Sequence, residues 1–344
     1  MTKKFDVVIG NPPYQEAAAG GGTRDTPVYH LFMDAAHEVA HKAVLITPAR
    51  FLFNAGFTPV AWNEKMLADS HLTVAHYVQN SDELFPGTDI KGGIAITYRN
   101  DASEVDPIGT FTKYPELNSI LHKVLESHDA SIGSDITTSR SYRYTDAMYK
   151  ANPELRILRP QGNEALISTN TFAQFANVLL ESLPEDGSTY IRLLGLAGRA
   201  REYRWIRSDF VTGPASFDKY KVVVAKANGS GVLGEVLSSP LVAGPQVAVT
   251  QTFITIGCFD DEAAAEASLK YVKSKFARTL LGVLKITQDN PAKVWKYVPS
   301  QDFTEASDID WSKPISAIDL QLYVKYGLTP DEITFIESQV KPME

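Results

Sequence analysis

The sequence holds a single cysteine, Cys258, among 344 residues. That excludes an intrachain disulfide framework and a zinc ribbon built from paired cysteines, and one thiol fits a reducing, cytoplasmic setting. No apolar run reaches the roughly 18 residues that span a bilayer, so a membrane is not an expected partner. The opening Met1-Thr2-Lys3-Lys4-Phe5 has lysines but no apolar core or small-residue cleavage site, and does not read as a signal peptide. Internal repeats and low-complexity tracts are missing too. What remains is a globular composition, 44% hydrophobic and 22% charged, able to bury a sizeable core. The length suggests two domains.

Net charge is −8, which on its own argues weakly against a nucleic-acid partner. The charge is uneven, however. Residues 301–344 hold nine acidic and three basic side chains, so the first 300 residues are nearly balanced. Within them, residues 192–207 carry five arginines and one glutamate. A local basic field governs a DNA contact whatever the total charge.

The first hundred residues alternate strand and helix signals. Val7-Val8-Ile9 reads as a buried strand stopped by Gly10-Asn11-Pro12-Pro13, because consecutive prolines cannot continue a ladder. Pro27 is positioned to open a helix to about His41, with Leu31, Ala35 and Val39 along one stripe. Val44-Leu45-Ile46 reads as a strand ended by Pro48, and Thr58-Pro59 starts a helix to about Asp69. Leu72 to Val78 and Gly93 to Tyr98 follow as strands. The pattern predicts an α/β sheet with packed helices. Later, Tyr114 to His128 reads as a helix and 134–150 as irregular. Short strands are expected at Tyr190 to Leu194, Tyr220 to Ala225, Val247 to Thr250 and Phe253 to Ile256. Asp260 or Asp261 caps a long helix to about Lys285, and Thr329-Pro330-Asp331-Glu332 is a capping box for a last helix toward Val340.

The chemically loaded motif is Asn11-Pro12-Pro13-Tyr14 at the end of the first strand. An exocyclic amine such as adenine N6 is a poor nucleophile, because its lone pair is delocalised into the ring. An amide oxygen from Asn11 and the Pro12 carbonyl can accept its two hydrogens and free that lone pair. Tyr14 offers a face for a base taken out of the duplex. The plainer reading is a turn in which two prolines end a strand and Asn11 bonds its own backbone.

Phe5-Asp6-Val7-Val8-Ile9-Gly10-Asn11-Pro12-Pro13-Tyr14 resembles the catalytic motif of the adenine-N6 DNA methyltransferases of type II restriction–modification systems. Val44-Leu45-Ile46-Thr47-Pro48-Ala49-Arg50-Phe51-Leu52 is similar to the strand and turn that follow it. Leu84-Phe85-Pro86 and Gly92-Gly93-Ile94-Ala95-Ile96-Thr97-Tyr98 resemble the last catalytic strands. The resemblance covers about residues 5–99. It implies a Rossmann-like fold, S-adenosylmethionine as methyl donor and double-stranded DNA as partner. It places Asn11, Pro12, Pro13 and Tyr14 at the catalytic centre, with Tyr14 and Tyr98 stacking on a flipped adenine.

The family's cofactor half, a glycine-rich turn after a first strand, is not found before Asn11. The best later candidate is Val222 to Gly231, ending in Gly229-Ser230-Gly231, but it lacks the expected Asp and Phe and no clear helix follows, so a tight β-turn describes it better. Gly20-Gly21-Gly22 reads as a mobile substrate-side loop. The cofactor site is therefore unassigned, and a subunit carrying that half is an expected partner.

His37-Glu38-Val39-Ala40-His41 matches the His-Glu-x-x-His pattern of zinc hydrolases, with Glu64 as nearest third ligand; a solvated helix end reads the same residues without a metal. Arg199, Arg201, Tyr203, Arg204 and Arg207, with Arg192 and Trp205, suit DNA contact. In an extended chain Arg201, Tyr203, Trp205 and Arg207 would share a face with Arg204 opposite. Arg140 and Arg143 have the same flavour. A solvated strand face with internal ion pairs is the alternative. Cys258 reads as a core thiol.

The reading is an α/β fold. An incomplete Rossmann-like methyltransferase lobe spans 1–105, a mixed α+β target-recognition domain 106–310, and an acidic helical tail 311–344. The expected function is site-specific adenine-N6 methylation of DNA without a metal. A non-catalytic DNA-binding specificity module is the alternative.

Overall fold

Two prolines end the first strand where ladder chemistry demands. The structure, a computed structural model, describes residues 3–16, 25–55, 57–90, 92–158, 161–285 and 287–344. Gly20-Gly21-Gly22 lie outside the described residues. The fold is mixed α/β and divides into two compact units, 1–118 and 119–344.

In the first unit the chain runs β1 (Phe5–Gly10), β2 (Gln15–Glu16), β3 (Thr26–Pro27), α1 (Tyr29–Val39), β4 (Ala40–Pro48), α2 (Val60–Leu67), β5 (Leu72–Val78) and β6 (Ile94–Asn100). The main sheet has the order β1-β4-β6-β5, with β1 parallel to β4 and the other pairs antiparallel. Alternate residues point to opposite faces. Ala43, Leu45, Leu72 and Ala95 therefore form one floor, covered by Tyr29, Met33 and Ala36 of α1 and Trp62, Met66 and Leu67 of α2.

The other face is open at β1. Phe5, Val7 and Ile9 are 55%, 45% and 77% exposed. The expected buried strand is thus an edge strand covered on one face only. The helix α1 also differs from expectation. It starts at Tyr29, because Pro27 belongs to β3, and its buried residues are Tyr29, Met33 and Ala36. Leu31 and Ala35 face water. Tyr29 and Met33 are the larger side chains at helical spacing, and the sheet takes that stripe instead.

The boundary falls within α3 (Pro115–Glu126), and the second unit continues with β7 (Ile136–Thr137), β8 (Arg143–Tyr144), α4 (Asp146–Ala151), α5 (Thr171–Gln174), β9 (Tyr190–Ala197), β10 (Ala200–Arg207) and β11 (Val211–Thr212). There follow β12 (Tyr220–Ala225), β13 (Leu241–Ala243), β14 (Val247–Val249), β15 (Phe253–Phe259), α6 (Glu262–Lys273), α7 (Lys275–Leu284), α8 (Ile315–Lys325) and α9 (Pro330–Gln339). One antiparallel sheet has the order β13-β12-β15-β7 and a second sheet the order β10-β9-β14. A core including Tyr142, Tyr144, Phe175, Leu193, Ile206, Val223 and Phe253 joins them.

The long helix expected to about Lys285 is two helices. Asp261 caps α6 through a 2.8 Å bond from Ala264 N, but Ser274 adopts an extended ψ and caps α7 through Ala277 N. A serine hydroxyl competes well for backbone N–H groups, which favours a new cap over continuation. The Thr329–Glu332 capping box forms as read. Cys258 is exposed rather than a core thiol, because it lies at the end of β15 where burial gives out.

Candidate active site

Asn11, Pro12, Pro13 and Tyr14 form one wall of a cavity of 700 Å³, completed by Gln15, Asp25, Pro27, Tyr29, Pro48, Arg50, Phe57, Asp89 and Ile90. It sits where β1 and β4 both end, since Gly10 is level with Leu45 and Pro48 follows shortly after. The backbone that carries the motif is tied down behind it. Val28 N donates to Tyr14 O at 3.1 Å, and Gln15 and Glu16 pair with Pro27 and Thr26. Gln15 Nε2 also donates to Asp25 Oδ2 at 2.7 Å.

The far wall is fixed by Ser81. Its hydroxyl accepts from Ile90 N at 2.8 Å and donates to Thr88 O at 2.9 Å, which holds the 81–90 loop against the strand ends. Gly93 N then donates to Ile90 O, and Ala49 N to Gly93 O. Gly93 has φ +78°, and a Cβ there would stand 2.3 Å from Val78 O. Only glycine fits so close a backbone approach.

Asn11 and Pro13 are exposed, while Pro12 and Tyr14 are half-buried. Among the described residues the Pro12 carbonyl accepts no hydrogen bond, so it is available to an incoming donor. The Tyr14 ring packs against the core beneath, and its hydroxyl is buried beside the Asn11 side chain without a hydrogen bond of ordinary geometry. Burial pushes the phenol pKa up, and the Asn11 amide partly offsets that.

Tyr98 lies elsewhere. It sits in the middle of β6, opposite Val44 and Thr73, and does not line this cavity. The aromatics that do are Tyr14, Tyr29 and Phe57. Tyr29 is committed to a ring cluster with His30, Phe51 and Trp62. Phe57 is 62% exposed. Sequence reasoning missed Tyr29, Phe57 and Asp89. An unburied phenylalanine directly before the Thr58-Pro59 helix start was the available signal for one of them.

The zinc reading fails on geometry. The helix α1 ends at Val39, so His41 lies in β4, exposed, and the one-turn spacing is never made. His37 is instead largely buried, and its pKa is pushed down to about 4, first by burial and then by Arg99. Glu64 is exposed on α2. No group of three or more His, Cys, Asp or Glu among the described residues could hold a metal.

The glycine-rich candidate fails as well. Gly229-Ser230-Gly231 follows β12, an antiparallel strand, and its amides are already used. Glu235 accepts from Ser230 N at 2.8 Å and from Gly231 N at 3.1 Å. A turn whose amides are closed by an internal carboxylate cannot offer them to a cofactor.

Of the basic residues, Arg199, Arg201, Tyr203, Arg204 and Arg207 lie on the β9–β10 hairpin. The strand is extended, which puts Arg201, Tyr203, Trp205 and Arg207 on one face and Arg204 on the other. Arg140 and Arg143 are exposed, Arg143 on β8, whereas their neighbours Tyr142 and Tyr144 are core.

With this geometry in place, the family match falls on the unit that carries the motif. Residues 1–85 match the family model of the Eco57I restriction-modification methylase. A curated relative described as an uncharacterized adenine-specific methylase, from Mycoplasma pneumoniae, is 31% identical over 94 residues, 26% of this chain and 22% of the relative. The chain thus spans about a fifth of the length of that relative. Both matches are to proteins described as methylases. Among solved structures, the type IIG restriction endonuclease BpuSI aligns with 92% of this chain and 48% of its own, at 10% identity and a TM-score of 0.33. The type IIL restriction-modification enzyme MmeI in complex with DNA aligns with 97% and 56%, at 10% identity and a TM-score of 0.32. No helix among the described residues is long and apolar enough to cross a membrane.

Proposed function

We propose that the chain is the acceptor-side component of a DNA adenine-N6 methyltransferase in a restriction–modification system. The observation that carries this reading is the placement of Asn11 to Tyr14 on the wall of the 700 Å³ cavity at the strand ends, with the Pro12 carbonyl uncommitted. The Asn11 amide oxygen and the Pro12 carbonyl each accept one hydrogen of the adenine amino group. That holds the nitrogen in place and directs its lone pair outward. Tyr14 supplies a face for the base, and the remaining walls exclude water from it. The methylase family match over the same residues supports the assignment.

S-adenosylmethionine is the donor that this resemblance implies. The described residues do not fit it: the 229–231 turn is closed by Glu235, and the main sheet of the first unit has a single parallel strand pair. A partner subunit or further polypeptide is proposed to bring the donor site. The unpaired edge of β1 and the wet side chains of Phe5, Val7 and Ile9 are where a further strand and its covering helix would add.

Calorimetry with S-adenosylmethionine, with and without duplex DNA, tests the division of labour. This chain alone is expected to bind none, and micromolar binding would show a complete cofactor site. In the assembled enzyme Asn11→Ala is expected to abolish methyl transfer while DNA affinity persists. The second reading, a DNA-binding specificity module without catalysis, is favoured by the missing donor cradle. It predicts no methyl transfer from any assembly that contains the wild-type chain.

A further inference from the structure

The five arginines of residues 192–207 look alike in sequence but not in space. Three are spent on the protein itself. Arg201 donates to the carbonyls of Ser238 and Ser239 and lies over the Phe253 ring at 5.2 Å. Arg204 pairs with Glu202 at 2.7 Å and Glu181 at 3.2 Å. Arg207 pairs with Asp209 at 2.8 Å. The carboxylates beside Arg204 and Arg207 leave them little net charge to offer, and the N–H groups of Arg201 are taken by backbone carbonyls, so releasing any of the three costs an existing contact.

The other two differ. Arg192 and Arg199 are exposed and have no carboxylate partner among the described residues. The Arg192 guanidinium lies 4.9 Å from the centre of the Tyr203 ring, which is itself 36% exposed. Stacking holds the planar fork in one orientation, so less side-chain entropy is lost when its N–H groups meet an anion. Arg199 sits at the hairpin tip, between Gly198, whose φ is +63°, and Ala200. The tip is slim, because Ala197, Gly198 and Ala200 have almost no side chain.

The third strand of its sheet, β14, reaches only Arg192 to Leu194 of β9; Gly195 to Ala197 still pack on the core, and Gly198 to Ala200 form an exposed tip. A two-stranded tip of that width can enter the major groove of duplex DNA.

We propose that this hairpin is the duplex-DNA contact of the second unit, with Arg192, stacked on Tyr203, and Arg199 as its phosphate-binding residues. Arg201, Arg204 and Arg207 build the hairpin and do not touch DNA. This rests on the proposed function for the identity of the polyanion and deepens it by naming the contact.

The test is the salt dependence of binding to a short DNA duplex, measured by fluorescence anisotropy between about 50 and 200 mM salt. Each phosphate contact contributes about 0.9 to the slope of log affinity against log salt. Arg192→Gln and Arg199→Gln are each expected to lower that slope by about 0.9, while Arg204→Gln leaves it unchanged. Tyr203→Phe, which keeps the ring, is expected to match wild type, and Tyr203→Leu to weaken binding. Neither arginine side chain has a hydrogen bond to lose among the described residues, so both variants should fold, which circular dichroism checks. Unchanged slopes for Arg192→Gln and Arg199→Gln, or an equal fall for Arg204→Gln, would overturn the assignment. So would a preference for duplex RNA over DNA. Methyl transfer lost in Asn11→Ala with wild-type salt slopes in the arginine variants would sink this inference and leave the proposed function standing.

Discussion

Glu235 and Lys285 form an ion pair inside the second unit, with Lys285 only 3% exposed. The lysine also donates to Asn228 O at 2.8 Å and Thr287 O at 3.1 Å, while Glu235 holds the two amides of the 229–231 turn. Removing one partner of such a pair leaves an uncompensated buried charge. Glu235→Ala is expected to cost about 3–5 kcal/mol, read as a lowered unfolding midpoint in urea. If the turn instead belonged to a cofactor site, the same change would open it and S-adenosylmethionine would bind, an outcome calorimetry would register.

Acid should act on the two units with opposite sign. His37 has a folded pKa of about 4, below its ordinary 6.5, chiefly through burial, with Arg99 and Lys65 adding to the fall and Asp69 and Asp34 opposing it. The folded form binds fewer protons than the unfolded, so its stability contribution is present above pH 6.5 and is lost as pH falls toward 4. Asp319 is raised to about 6, chiefly through burial, and with a smaller contribution from Glu337. Its folded form binds more protons, so its contribution is present below about pH 4 and is lost as pH rises through 6. Each gap is worth on the order of 3 kcal/mol. Between pH 6.5 and 4 the His37 contribution to the first unit should fall while the Asp319 contribution to the second rises. Calorimetric scans across that range should show two transitions moving apart or crossing; His37→Gln should flatten the first and Asp319→Asn the second.

Tyr14→Phe removes a buried hydroxyl that has, beyond the nearby Asn11 amide, no hydrogen-bond partner of ordinary geometry among the described residues. Deleting an unsatisfied polar atom is neutral or mildly stabilising, so the thermal midpoint should stay level or rise. The ring remains, and methyl transfer by the assembled enzyme should fall less than about tenfold. Tyr14→Ala should lose far more, and equal losses in the two variants would give the hydroxyl, not the ring, the working role.

Gly93→Ala combines a positive φ with a Cβ 2.3 Å from a carbonyl oxygen. A cost of more than about 2 kcal/mol is expected, confined to the first unit. A variant as stable as wild type would mean that the β5–β6 junction gives way easily, and with it the loop that walls the cavity.

Much of this was legible because the signals were local. Proline pairs, a capping box and β-branched runs act through near neighbours, so β1, β5, β12 and α9 could be placed from residue types alone. What could not be read depended on distant partners. The exposure of Val7 and Ile9 follows from β1 being an edge, which no property of the strand announces. Arg192 and Arg204 are chemically equivalent until Tyr203 and Glu181 are seen beside them. Tyr98 carried the aromatic character expected of a stacking residue, yet the register of β6 against β4 sets it level with Ile9, short of the strand ends where the cavity opens. His41 satisfied a motif whose helix had already ended at Val39.

The bare flank of β1 also bears on how this protein survives its own synthesis. Among the described residues no strand pairs with the outer edge of β1, and such an edge, with three apolar side chains in water, is a template for any extended segment that drifts past, including the same segment of another copy. Expressed by itself at high concentration, the chain should self-associate in a dose-dependent way through residues 5–10. A charge introduced at Ile9, the most exposed of the three, should suppress that clumping without disturbing the helices that cover the opposite side.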